Sequence, residues 1–171
     1  KNLRKFSKFK DKIKYFAVTL EKDSPYGREN EHRNKIYDCL LELDPEYLDM
    51  ILVSELDEIP NKEKFDEVSR LLEMGEPVVY FNQMYFVYFY NCFSGKNVTG
   101  TAAVHFNTLK QLHAVNGFGP QTLRNNKDYR TFVNDGGWHF SYMGGADKIR
   151  LKSESIFDGN PASKEFFEDQ I

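Results

Sequence analysis

Apolar positions along the chain follow two spacings. Leu3, Phe6, Phe9 and Ile13 recur at three- to four-residue intervals, which predicts an amphipathic helix over roughly the first ten residues. Residues 13–19 are mostly β-branched or aromatic and predict a strand. Asp23-Ser24-Pro25-Tyr26-Gly27 is turn material. Helical spacing returns over 28–43, where Ile36, Leu40 and Leu43 share a stripe, and Asp44-Pro45 ends it. Residues 50–53 form a continuous apolar run, as in a strand covered on both faces. Strand, helix and strand in this order predict a right-handed crossover unit of a parallel sheet.

Farther along, Asn61 can cap a helix whose buried stripe is Phe65, Val68, Leu71 and Leu72, and Gly75 closes it. Residues 77–81, 84–90 and 98–106 read as strands, and 107–115 as a helix capped by Asn107. Residues 116–126 are loop-like, with Gly117, Gly119 and Pro120. Two short strands, 131–133 and 139–142, flank Asp135-Gly136-Gly137-Trp138. Asn160-Pro161 starts a last helix through Phe166 and Phe167. With no repeat, linker or coiled coil, the expectation is one α/β domain over residues 1–171 with a mixed sheet.

Composition narrows the function classes. Apolar residues make up 40% and charged residues 29%, which is globular rather than disordered composition. A net charge of −3 argues against a nucleic-acid partner, which needs concentrated basic surface. The basic opening of Lys1, Arg4, Lys5, Lys8, Lys10, Lys12 and Lys14 reads as a solvated helix face, with a phosphate-rich or membrane-surface partner as the alternative. Cys39 and Cys92 have no Cys-x-x-Cys spacing and read as free thiols. No stretch approaches the roughly 18 apolar residues of a transmembrane span, so the expectation is a soluble, cytoplasmic chain. A Golgi-lumen location would require an anchor from an upstream segment.

Two segments carry candidate chemistry. Glu55, Asp57 and Glu58 follow directly on the 50–53 strand, and open α/β sheets bind ligands at such strand ends. If the strand continues, Glu55 and Asp57 point to one side. Paired acids there suit a hard divalent cation, Mg²⁺ or Mn²⁺. Solvated charge is the plain alternative, and Glu58 can instead cap the next helix. In the second segment, Gly136 and Gly137 let a ligand approach closely, and Trp138 offers a flat platform for a sugar ring, or else fills a core corner. His139 is a metal ligand only if Asp57 lies near it. Lys152, after Gly144-Gly145, is placed to contact a diphosphate, or to sit on a charged helix face with Lys148 and Arg150. Asp135 is the candidate general base, ahead of Glu29 and Glu31, and Glu58 a second catalytic carboxylate. Arg28 and Arg33 are candidates to contact a phosphate or to hold an acidic neighbour in place.

Ser54-Glu55-Leu56-Asp57-Glu58-Ile59-Pro60, followed by Gly137-Trp138-His139-Phe140-Ser141-Tyr142, resembles the family of the β-1,4-mannosyl-glycoprotein 4-β-N-acetylglucosaminyltransferase, the bisecting enzyme of N-glycans. That family shows Ser-Asp-x-Asp-Glu-Ile-Pro and later Gly-Trp-His-Phe-Ser-Tyr. Arg28-Glu29-Asn30-Glu31-His32-Arg33 resembles its Arg-Glu-x-x-x-Arg segment, and Lys152 its later lysine. The resemblance implies an α/β, glycosyltransferase A-like single domain with a mixed, mainly parallel central sheet. It implies an inverting transfer of a sugar, such as N-acetylglucosamine, from a UDP-sugar donor to a carbohydrate acceptor. Asp57 then becomes the primary metal ligand, with Glu55 and His139 beside it and Mn²⁺ or Mg²⁺ as cofactor. Arg28, Arg33 and Lys152 hold the donor, and Gly136, Gly137, Trp138 and Tyr142 the sugar. Three departures stand out. Glu55 replaces the usual Asp, the family's N-terminal strand and helix have no counterpart, and Asp158 stands where the family keeps a His nearby. The rival readings are a carbohydrate-binding domain without turnover and a nucleotide-sugar hydrolase.

Overall fold

A computed structural model describes residues 5–117, 119–125 and 131–156. The expected helix over 160–167 and Asp158 lie outside the described residues. Strands β1 (Met50–Val53), β2 (Glu58–Pro60), β3 (Val79–Val87), β4 (Phe93–His105), β5 (Thr131–Val133) and β6 (Gly137–Ser141) form one sheet. Its order is β1-β4-β3-β6-β2, with β5 also paired to β3. Helices α1 (Pro25–Leu43), α2 (Phe65–Glu73), α3 (Phe106–Asn116), α4 (Pro120–Asn125) and α5 (Ala146–Ile156) complete it.

The sheet is mixed and mostly antiparallel, which corrects the mainly parallel, glycosyltransferase A-like sheet expected from the sequence. β1 with β4, β3 with β4 and β2 with β6 run antiparallel. β3 runs parallel to β5 and β6. One cause is a hairpin. The sequence reading split 77–90 into two strands and began the next at 98. The chain instead makes two long strands joined directly by residues 88–92, and strands joined this closely must be antiparallel. A second cause lies at residues 13–19. They are extended but pair with no strand among the described residues, so the crossover unit does not form. Before them, Ser7–Lys12 is a short 3₁₀ helix with no buried residue.

The sheet curls into a half-barrel, and chain connectivity shows why. β1 and β2 stand at opposite ends of the strand order but are joined by residues 54–57 alone. The steps from Val53 to Glu58 reach about 17 Å at most, while flat strands about 4.8 Å apart would set the two edges about 19 Å from each other. Curling closes that gap, and the Ser54 hydroxyl lies 2.7 Å from that of Thr101 on β4.

Alternation along the strands builds a core on each face. Val53, Val78, Tyr80, Ala102 and Val104 pack with Tyr37 of α1, Leu109 of α3 and Leu123 of α4. Val79, Phe81, Ala103 and Val133 pack with Val68 and Leu72 of α2. The continuous apolar run at 50–53 follows from this, since Ile51 and Val53 serve one face and Met50 and Leu52 the other. Phe81 is fully buried against Phe65 at 6.2 Å between ring centres. Phe81→Ala is expected to cost about 3–5 kcal/mol in a urea unfolding curve, as for other large-to-small aromatic changes in a core. A cost below about 1 kcal/mol would show that α2 does not close this face.

Candidate functional site

The tight loop 54–57 turns the acids apart. The Glu58 amide donates to the Glu55 carbonyl at 3.2 Å, and Leu56 stands fully exposed at the tip. The strand therefore does not continue through Asp57, and Glu55 and Asp57 do not share a strand face. Arginines instead meet Glu55 and Glu58, and a lysine meets Asp57.

Glu58 has a fully buried side chain. Arg124, from α4, donates to both its oxygens, Nη1 at 2.9 Å and Nη2 at 2.6 Å. The Glu55 amide adds a third hydrogen bond at 3.0 Å. Burial acts to lower the Arg124 pKa, but the hydrogen bond and charge of Glu58, with Glu55 and Asp57 behind them, push it up instead. Glu55 accepts from Arg33 Nε at 2.6 Å and stands 3.4 Å from Arg124 Nε. Arg33 also donates to Gln121 at 2.8 Å and to Glu29 at 2.5 Å. This network ties α1 and α4 to the acidic loop.

Asp57 faces the other way. Its backbone carbonyl accepts from the Phe140 amide at 2.8 Å. One carboxylate oxygen lies 3.7 Å from His139 Nε2, and the other accepts from Lys152 Nζ at 3.4 Å. Lys152, on α5, also donates to the Ser141 hydroxyl at 3.2 Å and lies 4.9 Å above the Tyr142 ring. Burial pushes the Asp57 carboxyl up. The hydrogen bond and charge of His139 and the charge of Lys152 outweigh burial and hold it below its ordinary 3.8.

The two motifs thus meet through an antiparallel ladder that pairs Glu58 with His139, Ile59 with Trp138 and Pro60 with Gly137. Several expected roles change. The metal-binding reading is corrected: among the described residues no group of three or more His, Cys, Asp or Glu side chains is arranged to hold an ion. Glu55 is taken by two guanidinium groups and Asp57 by an ammonium, so the charge a divalent ion would neutralise is already balanced. Glu58 is saturated by Arg124 and holds the loop rather than facing a substrate. Asp135 lies before β6, on the Pro60 side of the ladder, where its carbonyl accepts from Asn61 at 3.1 Å. Four residue steps, about 13 Å at strand rise, lead from it to His139, so it is not at this cluster.

Gly136 and Gly137 serve packing rather than ligand approach. A Cβ on Gly136 would stand 2.7 Å from the Asn82 amide, and one on Gly137 2.1 Å from the Ile59 carbonyl, with φ at +126°. Trp138 alternates with His139 and so projects to the opposite sheet face, where Phe140 packs on Phe86. Exposed Arg28 donates to the Asp23 carbonyl and caps a local turn. Arg33 meets Glu55 on one side of the loop, and Asp57, His139, Lys152 and Tyr142 come together on the other.

The sequence reading missed Arg124 and Gln121, which it placed in a loop; Pro120 at a first helical position was the available signal. It also missed Ser141 and Tyr85, whose ring meets His139 edge-on at 5.2 Å. No family model, no curated protein and no solved structure matches the chain. Among the described residues no helix is long and apolar enough to cross a membrane.

Two outcomes are expected. Arg124→Met strands a buried carboxylate and should cost about 3–5 kcal/mol by urea unfolding, while adding Glu58→Gln recovers part of the loss; additive losses would contradict the pairing. The depressed Asp57 carboxyl contributes stability that is complete above its unfolded pKa and disappears as pH falls through the lower folded value. Asp57→Asn should therefore flatten the acid limb of a plot of melting temperature against pH below about 4. An unchanged acid limb would show that the Asp57 partners do not act in solution.

Proposed function

We propose that this chain binds a sugar nucleotide and transfers its sugar to a hydroxyl of a carbohydrate acceptor. The observation that carries this reading is the convergence of Asp57, His139, Ser141 and Lys152 at one end of the β2–β6 ladder. The residues that resemble the N-acetylglucosaminyltransferase motifs supply both strands of that ladder. The resemblance adds a UDP-sugar as the donor class.

In this reading Lys152 does the leaving-group work. A diphosphate carries more charge than one carboxylate, so it can draw the ammonium away from Asp57. The half-buried setting strengthens that attraction relative to water. As the bond from sugar carbon to phosphate oxygen breaks, Lys152 stabilises the negative charge that gathers on the phosphate. Released from Lys152, Asp57 becomes the carboxylate nearest the incoming hydroxyl and takes its proton, the part first given to Asp135. A low carboxyl pKa makes it a weak base that is always ionised at neutral pH. Arg33 and Arg124 hold Glu55 and Glu58 away from the phosphates, so that like charges do not oppose the donor.

The second reading is a carbohydrate-binding domain without turnover. The Asp57–Lys152 contact favours it, because catalysis has to break that contact first.

A panel of UDP-sugars with oligosaccharide acceptors, analysed by mass spectrometry, tests the proposal. Glycosylated acceptor is the expected product, and Lys152→Met or Asp57→Asn should lower its rate about 10²-fold or more. Free sugar as the sole product would identify a hydrolase. Binding with no product from any donor would leave the non-catalytic reading.

A further inference from the structure

Two tyrosines beside the cluster hold backbone angles that L-residues rarely adopt. Tyr88 has φ at +67° and Tyr142 at +57°. They occupy matching positions just past the ends of β3 and β6, whose last residues Val87 and Ser141 pair in register. The Tyr88 amide donates to the Ser141 carbonyl at 3.1 Å, so the two turns are tied together. Left-handed conformation at a bulky residue is strained, and such strain collects where a side chain must be aimed. Here it breaks strand alternation at both positions and brings the two rings within 6.3 Å of each other. Lys152 lies over the Tyr142 ring at 4.9 Å. Tyr85, on the His139 face of β3, extends the same surface and has Lys96 5.8 Å from its ring centre. The charged form of the Tyr142 phenol is disfavoured by burial and then by Tyr85 and Tyr88, which marks the three phenols as near neighbours.

We infer that Tyr85, Tyr88 and Tyr142 form the wall on which a pyranose ring of the substrate stacks, so that of the aromatic residues expected at the sugar Tyr142 takes part and Trp138 does not. Pyranose C–H faces are mildly apolar and suit a tyrosine face. Ring hydroxyls need donors and acceptors at the rim, and the phenols, Ser141 and Asp57 supply them. On the side of Trp138, Phe86 and Tyr90 each contact the Phe140 ring. The inference deepens the transfer reading by placing the sugar on one surface.

The test uses two probes on the whole chain: UDP alone, and the methyl glycoside of N-acetylglucosamine, which carries no phosphate. Binding is followed by calorimetry for UDP and by saturation-transfer NMR for the glycoside. In Tyr88→Ala and Tyr142→Ala the glycoside should bind about three- to tenfold more weakly, as for loss of an aromatic contact. UDP affinity should stay unchanged in Tyr88→Ala, which also shows that this variant folds. Tyr142→Phe should keep most of the glycoside affinity, since the ring remains. Glycoside binding that survives both alanine variants and disappears in Trp138→Ala would overturn the inference in favour of the opposite face. A loss of UDP rather than glycoside binding would overturn it too, because the wall would then hold the base. UDP binding without any glycoside binding to the wild type refutes the sugar wall and leaves the donor site standing. No binding of UDP by the wild type removes the transfer reading itself.

Discussion

The buried Glu58–Arg124 pair is the contact on which the arrangement of the site depends. A carboxylate with no exposed surface is tolerable only when its charge is met in full, and here two guanidinium hydrogen bonds and a backbone amide meet it. That requirement ties α4 to β2, because Arg124 stands on α4 and Glu58 on β2. It fixes the loop 54–57 as well, since the Glu55 amide must point at Glu58. Once the loop is folded back in this way, Glu55 falls between two guanidinium groups and Asp57 is left facing β6 and α5. Exchanging the pair for apolar residues of similar volume need not weaken the fold. Its role is to set directions.

Sheet curvature then gives the two faces of the β2–β6 ladder different tasks. The His139 face gathers Asp57, Ser141, Lys152 and the tyrosines. The Trp138 face carries the ring contacts of Phe140 with Phe86 and Tyr90, with Ile59 opposite Trp138 in the ladder. Charge and stacking surface on one side of a strand pair is what a polar ring bearing phosphates needs. Apolar surface on the other side serves packing equally well. The close fit of Gly136 and Gly137 against neighbouring backbone keeps the ladder in register, and a one-residue slip would exchange the faces.

Much of the local structure was legible in the chain. The stripe of Phe65, Val68, Leu71 and Leu72 with Asn61 before it describes α2 well, and the run 50–53 marks a strand covered on both faces. The meeting of the acid motif with the Trp-His motif is a non-local contact, and it was an expectation of the resemblance between their order and that of the transferase motifs. What failed was non-local. Periodicity does not say whether 13–19 finds a partner, and its strand-like composition led to a crossover that the chain does not make. The aromatic crowding at 84–90 hid a hairpin whose second strand starts at Phe93 rather than at 98. Arg124 was missed because a six-residue helix has too few positions to show a period. The metal reading failed for an energetic reason. Acid spacing reveals the negative charges but not which cations fold against them.

A crystal structure of the chain soaked with UDP-N-acetylglucosamine would show which face takes the donor. The diphosphate is expected beside Lys152, the sugar ring against Tyr85, Tyr88 and Tyr142, and the Glu58–Arg124 pair unbroken beneath them. Nucleotide seated over Trp138 on the opposite face, or an Arg124 that leaves Glu58 to hold the phosphates, would contradict the proposed donor site.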